Sequence, residues 1–407
     1  MMTKIKSKYI LKKIFENISQ KKYLQTIKFN KKLRKKLEIN LKDYKIYNQI
    51  EIELKATDSI ICRNKVINID NKDKSYFHIY INDKKRANKE NILTKRTPIS
   101  KIIIKIDFQI KSLKRLFKNC NYIKEINFIK FNRKDIIDMS EMFYGCKNLS
   151  KINLLNFKTD KVVNMSYMFS GCISLKDISL LNFNTIHVTN MQNMFEKCST
   201  IENLNLKIFD TTNVIYMNDM FSECSSLRSI IINNFNTSKV INMSYMFNKC
   251  SSLESLNLSN FDTLKVLDMS YMFQDCYKIK QLDLSKFDTS NVINMTNMFG
   301  KCKKLIDLNI SQFSINDITR VKNMFLNCSY DLKEKMKKQF KTINENAFKD
   351  EDVDFACNYF ERSVFDDPFD IYFFNDRHDR LLNFSEHIPS HLKGIIDQKT
   401  NYLFLTV

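Results

Sequence analysis

The sequence predicts an α/β solenoid of nine stacked 26-residue repeats, with helical and small β caps before it and another cap after it. Three observations predict it. Nine of the eleven cysteines fall at Cys120, Cys146, Cys172, Cys198, Cys224, Cys250, Cys276, Cys302 and Cys328, and every interval is 26 residues. Apolar residues recur in fixed phase around each of them. Inside each unit that phase holds one stretch with helical spacing and one with strand spacing. A fixed period of this length marks an array whose units bury a continuous core only by stacking.

The first segment, 1–45, reads as a helical hairpin. Ile10-Leu11, Ile14-Phe15, Ile18, Leu24 and Ile27 follow helical spacing and break near Ser19. Residues 46–106 change character. Four β-branched runs, 50–54, 65–69, 77–81 and 102–106, are separated by polar turns, with a loop near 82–98. They read as a small β cap over the first repeat, since an open solenoid end needs a lid.

The array spans 107–330. Around Cys250, Val240, Met243, Met246 and Phe247 precede the thiol, and Leu253, Leu256, Leu258 and Phe261 follow it. The Met-x-x-Met-Phe-x-x-Cys part has spacings of three and four, which predicts a short helix. Asn164, Asn190, Asn242 and Asn294, with Asp138 and Asp268, stand where a cap would accept an N–H of its first turn. The Leu-x-Leu part has the period of a strand. Phe-Asp/Asn-Thr, as at 261–263, suits Asx or ST turns. With four Gly in the chain, few backbone positions are expected at φ > 0. The cysteine column reads as core packing rather than disulfides, because stacked Cβ vectors run parallel. The repeat stops at Tyr330. The last segment, 331–407, reads as a cap: basic and helical over 332–348, then acidic and aromatic, as in Asp366-Asp367-Pro368-Phe369-Asp370.

Composition removes several functions. The formal charge is +21, but Arg supplies 11 of 66 basic residues, and Lys, Ile and Asn dominate throughout as in an AT-rich coding sequence. That argues against a nucleic-acid reader, which relies on Arg for bidentate contacts. The excess is also local: 1–100 holds 26 basic and 10 acidic residues, whereas 331–407 holds 11 and 15. No Gly-rich phosphate loop exists. No run of 18 apolar residues and no secretory leader is visible, so no membrane span and a cytoplasmic, reducing location are expected, in keeping with free thiols.

The phrase Asn-Met-Ser-Tyr-Met-Phe at 242–247, followed by Cys250-Ser-Ser-Leu-Glu-Ser-Leu-Asn-Leu-Ser-Asn-Phe-Asp-Thr263, resembles the BspA-type leucine-rich repeat. The resemblance covers about 110–330 and implies a leucine-rich-repeat-like arc used for recognition or adhesion. In such arcs the residues between the strand leucines face the concave side. Seven after each Cys these are Asn127, Asn153, Ser179, Asn205, Ile231, Asn257, Asp283 and Asn309, the expected partner-binding column. Residues 10–33 also resemble an F-box, with Ile14, Phe15, Ile18 and Leu24 on pattern positions. That resemblance implies an adaptor of a cullin–RING ubiquitin ligase, contacting the ligase subunit through Ile10, Leu11, Ile14, Phe15, Ile18 and Leu24.

Catalytic chemistry finds no foothold. His387 and His391 flank Pro389, there is no HExxH, and neither Cys62 nor Cys357 has a nucleophile signature. The expectation is a non-catalytic protein-recognition scaffold, with no cofactor and no metal. An F-box-type adaptor and a surface adhesin are the alternatives.

Overall fold

A 26-residue unit that packs only against copies of itself must find backbone partners in those copies. The computed structural model shows where they lie. It describes residues 47–57, 65–82, 101–316, 318–341 and 343–350, with single positions 32, 35, 45, 91 and 99. The chain divides into two compact units, 1–315 with 319–349, and 316–318 with 350–407. Every element named here belongs to the first; the second is described only at residues 316, 318 and 350.

The β cap comprises β1 (Ile50–Ala56), β2 (Phe77–Ile81) and β3 (Ile102–Ile106), antiparallel in the order β2-β3-β1. Alternation buries Ile50, Ile52 and Leu54 with Ile102, Ile104 and Ile106. β1 also pairs antiparallel with β4 (Ile123–Lys130), the first strand of the array, and β4 pairs parallel with β5 (Lys151–Asn153). One strand thus converts the cap's pairing into that of the repeats. The expected strand at 65–69 does not form. Val66 and Ile67 are fully buried, but one asparagine side chain stands in for a neighbouring strand. Asn91 accepts from the Ile67 N–H at 3.1 Å and donates to the Ile67 carbonyl at 2.7 Å.

Each Cys centres one rung, numbered 1 to 9 from Cys120. Val, Met, Met, Phe and Cys of each rung are buried almost without exception, as are the leucine eight after Cys and the phenylalanine eleven after. The Met-x-x-Met-Phe-x-x-Cys stretch is not the helix its spacing predicts; it is a run of turns. In rung 6 the N–H groups of Met243, Tyr245, Phe247 and Lys249 donate to carbonyls of Asp268, Ser270, Met272 and Gln274 in rung 7. Those of Met246, Asn248 and Cys250 donate three residues back within the rung. Alternation between neighbour and self is incompatible with an α-helix, in which every amide bonds four residues back.

That alternation requires left-handed residues, and glycine scarcity does not prevent them. Among the described residues eighteen non-glycines have positive φ, all but Asn82 and Asn91 within the rungs. In every rung they stand five and one before Cys, as at Tyr245 (φ 57) and Lys249 (φ 56), with Gly145 and Gly171 taking the second place in rungs 2 and 3. Each costs about 1 kcal/mol against an ordinary conformation. In rungs 1 to 8 each of the two also donates its N–H to the next rung, as Tyr245 does to Ser270 at 2.9 Å. The expected capping residues keep their chemistry in this different element: Asn242 Oδ1 accepts from the Ser244 N–H at 2.8 Å, closing an Asx turn.

This turn side is the continuous spine. Parallel bridges run without a break from Ser112 through Asp138, Asn164 and onward to Arg320. Behind it, Phe117, Phe143, Phe169 and their successors stack through to Phe348, with ring centroids 5.2 to 6.0 Å apart. That is the range of favourable offset stacking. The nine rung thiols are free and buried. From Cys146 onward each S–H donates to the carbonyl of a phenylalanine in the preceding rung, as Cys250 does to Phe221 at 3.1 Å.

The far end closes with α1 (Tyr330–Gln339), where Ser329 Oγ accepts from the Leu332 N–H. Leu332 and Met336 are buried, and Gln339 donates to the Ile310 carbonyl. The predicted helix over 332–348 stops at 339. Residues 344–348 instead form a partial tenth rung: Asn323 and Phe325 donate to Asn346 and Ala347, and Asn344 closes the same Asx turn as Asn242.

Candidate functional site: the strand face

Opposite the spine, short strands present alternate residues outward. β6 (Asn203–Asn205), β7 (Ser229–Ile231), β8 (Gln281–Asp283) and β9 (Asp307–Asn309) each expose both ends around a middle residue turned inward. The expected column is therefore on the surface. Asn153, Ser179, Asn205, Ile231, Asn257, Asp283 and Asn309 are exposed, and Asn127 is half-buried.

The structure brings them together in pairs rather than as one row. Asn127 stands opposite Asn153, Asn205 opposite Ile231, and Asp283 opposite Asn309. Residues 177–179 and 255–257 form no strand, so Ser179 and Asn257 lie between the pairs.

Most of the column also has structural work. Asn153, Asn205, Asn257, Asp283 and Asn309 each accept the N–H two residues ahead through Oδ1, at 3.0 to 3.3 Å, turning the chain as it leaves the strand position. The Ser285 N–H holds the Asp283 carboxyl below its ordinary range. The asparagines keep an amide N–H₂ for other partners; Asn153 uses its own on Asn127 Oδ1 at 2.9 Å.

Two surface features were not legible from that column. Where the ladder lapses at 177–179, an open depression of about 300 Å³ lies between Asp177, Ser179, Asn203, Asn205, Ser229 and Ile231. Two residues beyond the column, Ile129, Leu155 and Leu181 stand at the same place in rungs 1, 2 and 3, and are 40%, 71% and 75% exposed. The signal was available: in the next rung that place passes to Lys207.

Among the described residues no group of three or more His, Cys, Asp or Glu could hold a metal ion, and no helix is long and apolar enough to cross a membrane. The F-box-like positions Ile10, Leu11, Ile14, Phe15, Ile18 and Leu24, and also His387, His391 and Cys357, lie outside the described residues.

Comparison with solved structures returns repeat proteins. One is a leucine-rich cell surface protein of Faecalibacterium prausnitzii A2-165, at 15% identity over 63% of this chain and 78% of that one, with a TM-score of 0.25. Another is a leucine-rich repeat protein of Bacteroides ovatus ATCC 8483, at 17% identity over 55% and 68%, with a TM-score of 0.22. No curated protein matches the chain. The model of the family described as Mycoplasma protein of unknown function, DUF285, matches residues 111–232 and 225–339, more than half of the sequence, and the chain belongs to that family.

Proposed function

We propose that the array is a non-catalytic protein-recognition scaffold and that its strand face over rungs 1 to 5 receives the partner. The observation that carries this reading is the exposed apolar column Ile129, Leu155 and Leu181 beside the polar rim of the depression at Asp177, Ser179, Asn203, Asn205 and Ser229. Protein interfaces combine a core poor in charge with a polar rim, and a contiguous exposed apolar patch marks such sites. The fold supports the role, because a stacked core holds these side chains at fixed spacing with little to order on binding.

A photo-crosslinking residue at Leu181 or Asn205 should capture the partner, whereas one at Lys239, outside the strand face, should not. Leu155→Asp with Leu181→Asp should abolish capture at unchanged thermal stability, since both side chains are exposed. Equal capture from both positions, or by the double variant, overturns the reading. Surface biotinylation of intact cells separates two settings for the scaffold: labelling favours an adhesin, and its absence a cytoplasmic binder.

A further inference from the structure

Rungs 7 and 8 carry a second surface. One, two and four residues after Cys276 stand Tyr277, Lys278 and Lys280; after Cys302 stand Lys303, Lys304 and Ile306. The two sets run side by side, for the Ile306 N–H donates to the Lys280 carbonyl at 3.0 Å. Lys303 Nζ lies 5.9 Å from the Tyr277 ring centre, and the Tyr277 hydroxyl donates to Asp275 at 2.7 Å, which fixes the ring. Tyr277 is 40% and Ile306 64% exposed.

Some cations elsewhere on the array meet carboxylates of adjacent rungs, as in Lys134–Asp160, Arg228–Glu202 and Lys249–Glu223. Among the described residues, Lys278, Lys280, Lys303 and Lys304 form no ion pair. The concentration of charge is also local. In rungs 4 to 6 the places one and two after Cys hold only Ser and Thr, from Ser199 and Thr200 to Ser251 and Ser252.

We propose that this surface docks an acidic peptide segment carrying an aromatic or large aliphatic anchor: carboxylates meet the four lysines, and the anchor packs on Tyr277 and Ile306. The proposal rests on the scaffold reading and adds the chemistry of a partner. Charge complementarity selects the peptide's acidity, and the exposed apolar pair selects its anchor. A nucleic acid fits less well. The four cations are all Lys, which lacks the bidentate fork of Arg, and adjacent rungs stand only about 5 Å apart, a short footing for a phosphate backbone. A bilayer would need positive charge spread along a face rather than confined to two rungs.

The test uses the full chain and a fluorescein-labelled twelve-residue peptide with four Asp around one Phe. Fluorescence anisotropy at low salt should show binding that salt weakens. Replacing Lys278, Lys280, Lys303 and Lys304 by Ser should weaken it by at least about tenfold. Tyr277→Ser with Ile306→Ser should remove the preference for Phe over Ser in the peptide while leaving the charge dependence. Thermal melts confirm that the variants fold, as expected for exposed positions. No binding, equal binding by the lysine variant, or tighter lysine-dependent binding of oligo-dT or phosphatidylserine vesicles overturns the proposal. If strand-face crosslinks persist when the peptide fails, only this surface is lost; if both fail, the scaffold reading goes too.

Discussion

The hydroxyl of Thr237 joins two rungs by itself. Its Oγ1 donates to the carbonyl of Asp262 at 2.8 Å and accepts from the N–H of the same residue at 2.8 Å. Thr211 does the same with Asn236, and Thr159 with Asn184. The threonines are buried, so the hydroxyl acts as an internal strut, while the Asx turn suggested by Phe-Asp-Thr is closed by Asp262, whose Oδ1 accepts from the Leu264 N–H at 3.1 Å. Thr237→Val keeps the shape and strands a carbonyl and an amide. It should cost about 2 kcal/mol in urea unfolding, with Thr237→Ser closer to wild type. A neutral valine variant would remove the strut.

Met246 is fully buried between spine and strands. Met246→Asp places a carboxyl there without a partner and should cost about 4 kcal/mol or shift that group's titration strongly upward. Loss of the cooperative transition by circular dichroism is the expected readout. A wild-type melt at neutral pH would show that the site reaches water.

Lys249 tests the turn assignment directly. Its φ is 56, and equivalent positions hold Gly145 and Gly171. Lys249→Gly should stabilise by about 0.5 kcal/mol through relief of left-handed strain, because its pair with Glu223 is an exposed one that contributes little. In a helix the same change would destabilise by about 1 kcal/mol. Gly171→Val should cost about 2 kcal/mol, since φ is 73 and an added Cβ would stand 3.3 Å from Gly145. The urea midpoints of the two variants decide.

The thiol column makes the array sensitive to alkali. Burial pushes Cys172 and Cys224 up to about 12, from a usual value near 9. The folded state holds these protons where the unfolded state releases them. Stability is therefore fully present below pH 9 and falls as pH rises toward 12. Urea midpoints measured from pH 8 to 10.5 should decline, and Cys224→Ala with Cys276→Ala should make the decline shallower. An unchanged slope would assign the effect to other groups.

The pattern of burial was legible in the sequence. Val240, Met243, Met246, Phe247 and Cys250 are buried as their phase implies, and β1, β2 and β3 lie where alternation placed them. The local bonds of Asn242 were legible too, because an Asx side chain closes a turn much as it caps a helix. The tenth rung was not. Asn344 and Phe348 repeat the spine's phrase in shortened form, with Ala347 for Met, and the 26-residue count misses it. The strand-face column is on the surface as its spacing implies, but most of its Oδ1 atoms are committed to turns, and chain spacing does not reveal where an acceptor is already used.

By itself the sequence determined the period and the side of each rung that is apolar, because these follow from residue types at fixed separations. Tertiary structure decided what the spine is. Spacings of three and four suit both a helix and a run of turns, and the two differ in where the amides bond. Once rungs stack, the N–H groups of Met243, Tyr245, Phe247 and Lys249 find carbonyls one rung away. Those bonds do not exist in a single repeat, and they offset two left-handed residues in every unit. Whether the strands ladder or lapse, as at 177–179, is likewise a relation between rungs, and it shapes the surface offered to a partner.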